Sequence, residues 1–436
     1  MIDTALIERE SIGQPIRVAI VGAGASARAI ALQLGTPVPG IRLVGISNRT
    51  EANAERSFRE AGLSSWRQTD SARQAESLIS AGVPVFTSDP SVLTACDAVD
   101  LVIEATGTID CAARVVLDAF HYGKHVVLVN AELDSMLGPI LKARADSAGV
   151  VITHTDGDEP GVAMTLLRYL RSGGLKPVAA GNLKGLVDYH RTPDTQRSFA
   201  EKYDLNVRKV TSFADSTKLS MEATVLANAT GFLVGRRGMY GPECADIREM
   251  ANLLPADQML GSGLVDYALG AAPHTGAFVI VHEDSPLKKN QLAYYKLGSG
   301  PFYLFYTPFH LPHVQIASTI GRVVFHRDPT VAPAGGPVCE VISVAKRDLK
   351  AGERLDGVGG FCTYGLVDNA ISARESNALP IGLSEDCILL RDVPQDDVIS
   401  LDDVKGPSGR LAENLWLEQK SRWPQREVVS KRLPMS

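Results

Sequence analysis

Apolar runs alternate with helical stretches over the first third of the chain. The first run covers residues 16–21 and is rich in β-branched side chains, which is typical of a strand buried on both faces. Comparable runs follow at residues 41–46, 81–87, 101–105, 124–130 and 149–153. Strands that alternate with helices predict an α/β fold with a doubly wound parallel sheet and right-handed crossovers, here over residues 1–160.

The turn after the first strand has the spacing Gly-x-Gly-x-x-Ala, formed by Gly22, Gly24 and Ala27. Between a strand and a helix, this spacing is typical of a Rossmann dinucleotide site. Gly22 would permit the tight turn, Gly24 would let a pyrophosphate approach the backbone, and Ala27 would let the helix pack closely. The helix start at Ala25 and Ser26 would offer N–H groups to the phosphates. The alternative is a structural turn without a ligand.

The end of the second predicted strand favours NADP over NAD. An NAD site has an Asp or Glu there that binds the ribose 2′-hydroxyl. This chain has Ser47, Asn48 and Arg49 instead, and neutral donors with a cation suit a 2′-phosphate. Arg49 could also be a solvated loop cation, so the missing carboxylate is the stronger argument. We therefore expect NADPH as the cofactor.

Further turns follow later strands of the predicted sheet. In doubly wound sheets, ligands bind beyond the carboxyl ends of the strands. We therefore expect Thr106, Gly107, Asn130 and Glu132 to line the nicotinamide half of the cofactor site. Any one of these positions, taken alone, could be a plain turn.

The alternation ends near residue 161, where an α+β domain for substrate binding, catalysis and oligomerisation is predicted over residues 161–336. Residues 337–412 predict a small β-rich domain. Within it, residues 340–355 and residues 388–399 share one sequence pattern, which is an apolar strand followed by Arg-Asp and a turn. This repeat indicates an internal duplication. Residues 413–436 are polar and are expected to form a poorly ordered tail.

Two lysines are the candidate proton donors for a reductase, which needs a hydride source, a proton source and groups that fix the substrate. Lys184 follows a short predicted strand. Lys218 lies near a helix start, where a cation is unfavourable unless it has an acidic partner or an anionic ligand. Asp215 and Glu222 are within reach of it. The alternative is an exposed Lys218–Glu222 pair, which contributes only about 0.3–0.5 kcal/mol.

A polar stretch with His190, Arg191 and Thr192 comes soon after Lys184. Such a cluster suits a phosphate or several hydroxyls, although a solvated loop is the alternative. His310 follows an aromatic strand and is a further candidate for substrate contact, although such histidines are more often structural.

Composition narrows the class of protein. With 436 residues, 45% of them hydrophobic and 22% charged, the chain predicts a soluble protein of two or three domains. A net charge of −6 gives no reason to expect nucleic acid or an anionic membrane as a partner.

The six scattered cysteines show no zinc or disulfide spacing. No signal peptide or spanning segment is evident, so the cytoplasm is expected. Adjacent Asp158 and Glu159 make a divalent metal possible, but they are too little to predict one.

Several stretches resemble homoserine dehydrogenase-like oxidoreductases with a C-terminal SAF domain, and most closely a bacterial group of DXR-like reductases. The matching stretches are residues 129–132, 157–160, 182–185, 190–194, 215–218, 227–231, 306–311, 345–349 and 379–383. The group has Asp-Gly-Thr-Lys where this chain has Asp215, Ser216, Thr217 and Lys218. Residues 232–300 match poorly, which allows a different substrate.

The resemblance implies a function for this chain. It implies NADPH-dependent reduction and isomerisation of 1-deoxyxylulose 5-phosphate, with Lys184 and Lys218 in the active site. We expect Asp215 and Glu222 to tune Lys218. The residues expected to hold a small phosphorylated keto or aldehyde sugar are Lys184, His190, Thr192, Asn228 and His310.

Two alternatives remain open. One is a homoserine-type dehydrogenase that acts on an amino-acid semialdehyde, and the other is a non-catalytic protein that binds a cofactor and a sugar. In each case we expect a homo-oligomer whose other partner is a small molecule.

Overall fold

The computed structural model describes residues 1–36 and 38–424, and the chain divides into two units. The first unit comprises Met1–Gly161 and Leu311–Ala332, and the second comprises Val162–His310 and Pro333–Ser436. Residues 311–332, which the sequence placed in the middle domain, therefore group with the first unit. Among the described residues, no helix is both long enough and apolar enough to cross a membrane.

A seven-stranded parallel sheet forms the centre of the first unit. Its strands are β1 (Ile16–Val21), β2 (Ile41–Ser47), β3 (Arg67–Gln68), β4 (Val85–Thr87), β5 (Leu101–Glu104), β6 (His125–Leu128) and β7 (Ile152–His154). They lie in the order β3-β4-β2-β1-β5-β6-β7. The order reverses at β1, whose neighbours are β2 and β5, so a ligand site is expected at its carboxyl end. The predicted doubly wound sheet is confirmed.

Helices surround this sheet and complete its core. They are α1 (Ile2–Ser11), α2 (Ala25–Gly35), α3 (Glu51–Glu60), α4 (Ala72–Ser80), α5 (Ser91–Thr94), α6 (Asp110–His121), α7 (Ala131–Ser147) and α15 (Pro312–Gly321), which a π-helix at Arg322–His326 follows. The helix α8 (Glu159–Ser172) begins in the first unit and continues as part of the second. Ile316 and Ile320 of α15 are fully buried in the same apolar cluster as Ala27 and Ile30 of α2. This packing explains why the late segment belongs to the first unit.

Two strands of this sheet begin three or four residues later than the sequence predicted. Residues 81–84 lie between α4 and β4, because Gly82 has a φ of +78° and ends the preceding helix. Residues 149–151 likewise precede β7, since Gly149 has a φ of +68°. The two-residue strand β3 was not predicted, and both of its residues are exposed. The apolar runs thus located most strands correctly, while local glycines decided where they start.

The second unit contains a four-stranded mixed sheet in the order β11-β10-β8-β9. Its strands are β8 (Lys176–Lys184), β9 (Leu264–Leu269), β10 (Ala277–His282) and β11 (Phe302–Thr307). Strand β8 pairs with β9 in parallel and with β10 in antiparallel orientation. The helices of this part are α9 (Pro193–Lys202), α10 (Val207–Ala214), α11 (Thr217–Thr230), α12 (Met250–Leu253), α13 (Ala256–Gly261) and α14 (Pro286–Tyr294), with a 3₁₀-helix at Ile247–Glu249. An α+β arrangement was predicted here, and the mixed sheet confirms it.

The last part of the second unit is rich in short strands, as predicted for residues 337–412. Its elements are β12 (Cys339–Ala345), β13 (Thr363–Asn369), α16 (Ala370–Glu375), β14 (Ile388–Leu389), β15 (Val404–Lys405), α17 (Leu411–Arg422) and 3₁₀-helices at Ile381–Leu383 and Leu401–Asp403. The helix α17 contradicts the expected poorly ordered tail as far as residue 422. Its residues Ala412, Leu415, Trp416 and Gln419 recur at helical spacing and are buried. The rest of that tail, residues 425–436, lies outside the described residues.

Candidate active site

A buried carboxylate, Glu222, lies between two lysines in the second unit. The Lys184 amine is 3.2 Å from one Glu222 oxygen, and the Lys218 amine is 3.6 Å from the other. The Asn182 amide donates a 2.9 Å hydrogen bond to the oxygen that Lys184 contacts. The glutamate side chain is 2% exposed, whereas the lysines are 18% and 16% exposed. Both lysines therefore combine a paired amine with a partly exposed side chain.

One strand and one helix bring these side chains together. Asn182 and Lys184 are two residues apart on β8, so they share one face of the sheet. Lys218 and Glu222 are one turn apart on α11, so they share one face of the helix. Lys184 is the last residue of β8, whereas the sequence placed it after the strand. The alternative of an exposed surface pair is wrong, because Glu222 is buried.

Asp215 pairs with Lys346 rather than with Lys218, contrary to the expectation that it tunes Lys218. One Asp215 oxygen accepts a 2.8 Å hydrogen bond from the Lys346 amine, and the other accepts a 3.0 Å bond from the Thr217 N–H. Burial raises the pKa of Asp215, and both partners oppose that rise. The physical reason is that the fold brings Lys346 to the start of α11 from a distant part of the chain. Asp215 acts on the helix start and not on the Lys218 amine.

The residue before the helix, Ser216, has an unusual backbone conformation. Its φ is +72°, a left-handed conformation that glycine adopts at little cost and other residues rarely adopt. This is the position at which the DXR-like group has glycine. The conformation turns the chain sharply between Asp215 and α11, so that Lys218 lies in the first turn of the helix.

The predicted substrate residues His190 and Thr192 lie near the start of α9. One ring nitrogen of His190 is 2.8 Å from an Asp396 oxygen, and the side chain is 45% exposed. Thr192 precedes the helix, and its N–H donates a 3.0 Å hydrogen bond to the Thr195 hydroxyl. Both residues are thus held at the surface of the second unit.

Two other predicted substrate residues have structural partners. Asn228 is buried, about 15 Å along α11 from Lys218 at 1.5 Å of rise per residue. Its side-chain oxygen accepts a 2.7 Å hydrogen bond from the Val338 N–H, so it fastens the chain before β12. The Nδ1 of His310 lies 2.9 Å from the Thr275 hydroxyl. Each residue thus has a structural contact through one of its polar atoms, and contact with a substrate stays a prediction for both.

The glycine turn of the first unit combines a backbone that requires glycine with an open helix start. Gly22 has a φ of +114°, and an added Cβ would lie 2.7 Å from the Ala105 carbonyl oxygen, so only glycine fits. Gly24 precedes α2, and an added Cβ there would meet no heavy atom within 4 Å. The helix start is therefore open to a ligand. Ala27 is buried, as expected for close packing of the helix on the sheet.

The remaining predicted cofactor residues at this edge are accessible to different degrees. Ala25 and Ser26 form the first turn of α2, and Ser26 is exposed. The Asn48 amide donates a 2.8 Å hydrogen bond to the Thr50 carbonyl oxygen and so stabilises the turn after β2. Arg49 is exposed beside it. Arg49 is therefore an exposed cation at this turn.

A buried carboxylate, Glu104, joins the two predicted nicotinamide loops. It accepts hydrogen bonds from the Thr106 N–H at 2.8 Å, the Thr106 hydroxyl at 2.5 Å and the Asn130 amide at 2.7 Å. Burial raises the pKa of Glu104 to about 7, against these three bonds, which lower it. Gly107, at a φ of +65°, and the partly exposed Glu132 complete the two loops. One carboxyl group thus fixes both loops.

A fully buried histidine, His154, lies at the end of β7 between two carboxylates. Its Nδ1 is 3.2 Å from an Asp134 oxygen, and its Nε2 is 2.9 Å from an Asp158 oxygen. Burial alone would lower the pKa of His154, but the two carboxylates outweigh burial and raise it to about 9. The imidazolium form connects α7 with the turn before α8.

Sequence reasoning did not select Asn182, Glu104, His154 or Lys346 as functional. Asn182 and Glu104 lie within predicted strands. His154 and Lys346 directly follow predicted strands, so position alone did not identify any of the four. The sequence nevertheless carries a signal for such residues, because a polar or ionisable side chain in a buried strand costs free energy unless it has a partner. That cost indicates a partner elsewhere in the chain without identifying it.

Comparison with known proteins gives a local family match. Residues 157–316 match the family model described as "Oxidoreductase DRL, catalytic domain". This range contains the lysines, Asn182 and Glu222. A search of curated proteins found no match.

Solved structures that match this chain include dehydrogenases. They include a "probable dehydrogenase" of Thermotoga maritima, at 13% identity and a TM-score of 0.44 over 73% of this chain and 91% of that one. A homoserine dehydrogenase of Thiobacillus denitrificans has 16% identity and a TM-score of 0.43 over 78% and 83%. The scyllo-inositol dehydrogenase of Lactobacillus casei has 13% identity and a TM-score of 0.36 over 61% and 73%. At these values the likeness does not extend to ligands or activity. The family match supports an oxidoreductase activity, and residues 157–316 are similar to the catalytic domain of DRL oxidoreductases.

Proposed function

We propose that this protein is an NADPH-dependent oxidoreductase that reduces the carbonyl group of a small, phosphorylated, sugar-like substrate. The observation that carries the proposal is the buried Glu222 carboxylate between the Lys184 and Lys218 amines, within the range that matches an oxidoreductase catalytic domain. Reduction of 1-deoxyxylulose 5-phosphate, coupled to its isomerisation, is the specific form that the sequence resemblance suggests. In this proposal residues 337–412 correspond to the SAF domain of that group.

Two features of the first unit support the choice of NADPH as the cofactor. The open space at Gly24 leaves room for a pyrophosphate at the start of α2, where free N–H groups and the helix dipole favour anions. Arg49 would bind the 2′-phosphate that distinguishes NADPH from NADH. When bound, the nicotinamide supplies the hydride for the carbonyl carbon.

The second unit supplies the proton. In the proposed reaction the Lys218 ammonium donates a proton to the carbonyl oxygen as negative charge develops there. Lys184 orients the substrate and stabilises the same oxygen through its positive charge. Glu222 fixes both amines, since its two oxygens contact one lysine each. A pair of ammonium groups beside each other is tolerable because the carboxylate lies between them.

The loop at His190 and Thr192 is proposed to contact the phosphate or hydroxyl groups of the substrate. The His190 ring is partly exposed, and Thr192 lies at the N-terminus of α9, where N–H groups and the helix dipole favour an anion. Asp396 holds the ring in a fixed orientation through a 2.8 Å contact.

One observation favours a second candidate, a dehydrogenase that acts on an amino-acid semialdehyde. A groove of about 700 Å³ lies at the carboxyl ends of β8 and β9, directly after Lys184. Glu243 and Glu249 line it, and two carboxylates suit an ammonium group better than a phosphate. The two candidates therefore predict substrates of opposite charge.

A substrate panel tests the proposal and separates the candidates. NADPH oxidation would be followed with phosphorylated keto and aldehyde sugars and with amino-acid semialdehydes. We expect turnover with a sugar phosphate, loss of that turnover in Lys218→Ala, and unchanged NADPH binding in the variant. The control is Lys209→Ala, because Lys209 is an exposed lysine on α10.

Turnover with semialdehydes alone would favour the second candidate. Tight NADPH binding without turnover on any member would favour a non-catalytic binding protein.

A further inference from the structure

The buried amine of Lys346 connects three separate segments of the second unit. It donates 2.8 Å hydrogen bonds to the Asp215 carboxylate and to the carbonyl oxygens of Arg191 and Gly360. An ammonium group has three protons, and each has an acceptor here. The Lys346 side chain is only 2% exposed. Lys346 therefore has no proton left for a substrate and cannot itself be a proton donor in the reaction.

Two of the three acceptors belong to segments of the proposed active site. Asp215 lies three residues before Lys218, and its second oxygen accepts the N–H of Thr217, in the first turn of α11. Arg191 lies between His190 and Thr192 in the proposed substrate loop. A displacement of either segment would move the proton donor and the substrate loop relative to each other.

A second contact holds the same helix turn. The N–H of Gly365 on β13 donates a 2.8 Å hydrogen bond to the Thr217 hydroxyl. An added Cβ at Gly365 would lie 3.0 Å from the Thr217 methyl group, so strand and helix are in close contact. The β-rich part of the unit thus holds the start of α11 through both Lys346 and β13.

We propose that Lys346 is a positioning residue, which orients Lys218 through Asp215 and the substrate loop through the Arg191 carbonyl. The inference rests on the proposed function for its effect on turnover. It assigns a role to the C-terminal β-rich residues, which hold the groups of the proposed active site in place. The charge of Lys346 matters as well as its bonds, because Asp215 would otherwise be a buried unpaired carboxylate.

The first test measures the reactivity of the Lys218 amine, independently of turnover. The full-length protein would be treated with trinitrobenzenesulfonate, and modification of Lys218 would be followed by mass spectrometry. In Lys346→Met we expect Lys218 to react roughly tenfold faster, since local opening of the first helix turn exposes its amine. Lys350→Met is the control, because Lys350 is exposed and pairs with Asp392.

The single variant leaves Asp215 buried without its cation, which could prevent folding. The double variant Asp215→Asn/Lys346→Met removes both charges and is expected to fold. It should still show faster modification of Lys218, because the hydrogen-bonded connection is absent. Modification at the wild-type rate in a folded double variant would overturn the inference.

The second test uses turnover of whichever substrate the panel identifies. In the double variant we expect kcat to fall about 100-fold, the effect of displacing a reacting group by about 1 Å, with an unchanged Kd for NADPH. A residue that merely stabilises the fold would lower the melting temperature and leave kcat per folded molecule unchanged. If the wild-type protein turned over none of the panel, the proposed function would fail while the labelling test still decided the role of Lys346.

Discussion

The hydroxyl of Ser216 donates a hydrogen bond of 3.2 Å to the carbonyl oxygen of Gly365 on β13. Ser220, one turn into α11, donates to the same oxygen at 3.1 Å. The Ser216 side chain thus makes a hydrogen bond that a glycine at position 216 could not make, although the left-handed backbone at this position favours glycine. In this chain, backbone strain at the helix start is offset by a contact to the β-rich part of the unit.

Two substitutions at Ser216 separate strain from the hydrogen bond. Ser216→Gly relieves strain of about 1–2 kcal/mol but loses a hydrogen bond worth about 1 kcal/mol and adds backbone freedom worth about 0.5–1 kcal/mol, so we expect little net change. Ser216→Ala keeps the strain and loses the bond, so we expect a loss of about 1 kcal/mol. Urea unfolding measures both, and an alanine variant as stable as the glycine variant would contradict this account.

Replacement of Glu222 by glutamine should impair catalysis more than binding of the cofactor. The neutral amide no longer balances the two ammonium groups, so their repulsion displaces the amines from their positions. We expect kcat to fall about 100-fold, because the donor is misplaced, with NADPH affinity unchanged. Steady-state kinetics and fluorescence titration of NADPH give the two values, and Glu201→Gln on the exposed surface of α9 is the control. Unaltered kcat would remove Glu222 from the mechanism.

The contacts of His154 with Asp134 and Asp158 predict that the stability of the first unit depends on pH. The pKa of His154 is raised from 6.5 to about 9 in the folded protein. A raised pKa means that the folded state holds the proton more tightly, so the stabilisation is complete below pH 6.5 and is lost as the pH rises through 9. Melting temperatures between pH 6 and 10 should fall across that window in the wild-type protein.

The same decline should be largely absent in His154→Gln. The exposed His121 supplies the control His121→Gln, which should retain the wild-type profile. Equal profiles for the wild-type protein and His154→Gln would show that the buried imidazolium contributes nothing to this pH dependence.

The exposed Arg49 should decide the choice of cofactor. Arg49→Ala removes the proposed charge-assisted contact with the 2′-phosphate, worth about 1.5–3 kcal/mol. We expect NADPH to bind about tenfold to 100-fold more weakly, with NADH affinity little changed, since NADH lacks that phosphate. Titrations with both nucleotides measure this, with the exposed Arg73→Ala as control. An equal loss for both nucleotides would place Arg49 elsewhere in the cofactor site.

Local spacing predicted the parts of the site that depend on neighbouring residues. The roles of Gly22 and Ala27 follow from a turn of six residues, and the Lys218–Glu222 pair follows from one helical turn. The partner of Asp215 could not be predicted in this way, because Lys346 is 131 residues further along the chain. The contacts of Glu222 with Asn182 and Lys184 likewise require β8 and α11 to pack together.

The predicted duplication in the β-rich part has a structural counterpart. The backbones of Leu349 and Val393 exchange hydrogen bonds of 2.9 Å and 3.0 Å. Asp392 accepts the N–H of Ala351, and Asp348 accepts the N–H of Gln395, both at 2.9 Å. The repeated Arg-Asp turns therefore bind each other in a nearly symmetric manner. The sequence showed the repeat, while the pairing of its copies required the structure.

Because residues 311–332 belong to the first unit, that unit cannot be produced as a simple N-terminal fragment. A truncated chain that ends near residue 160 would retain the whole parallel sheet but lose α15, leaving the apolar side of α2 without Ile316 and Ile320. Such a fragment should aggregate or bind nucleotide poorly, even though every glycine of the turn is present. A fragment suited to cofactor titration would need residues 311–332 joined to the first segment by a designed linker.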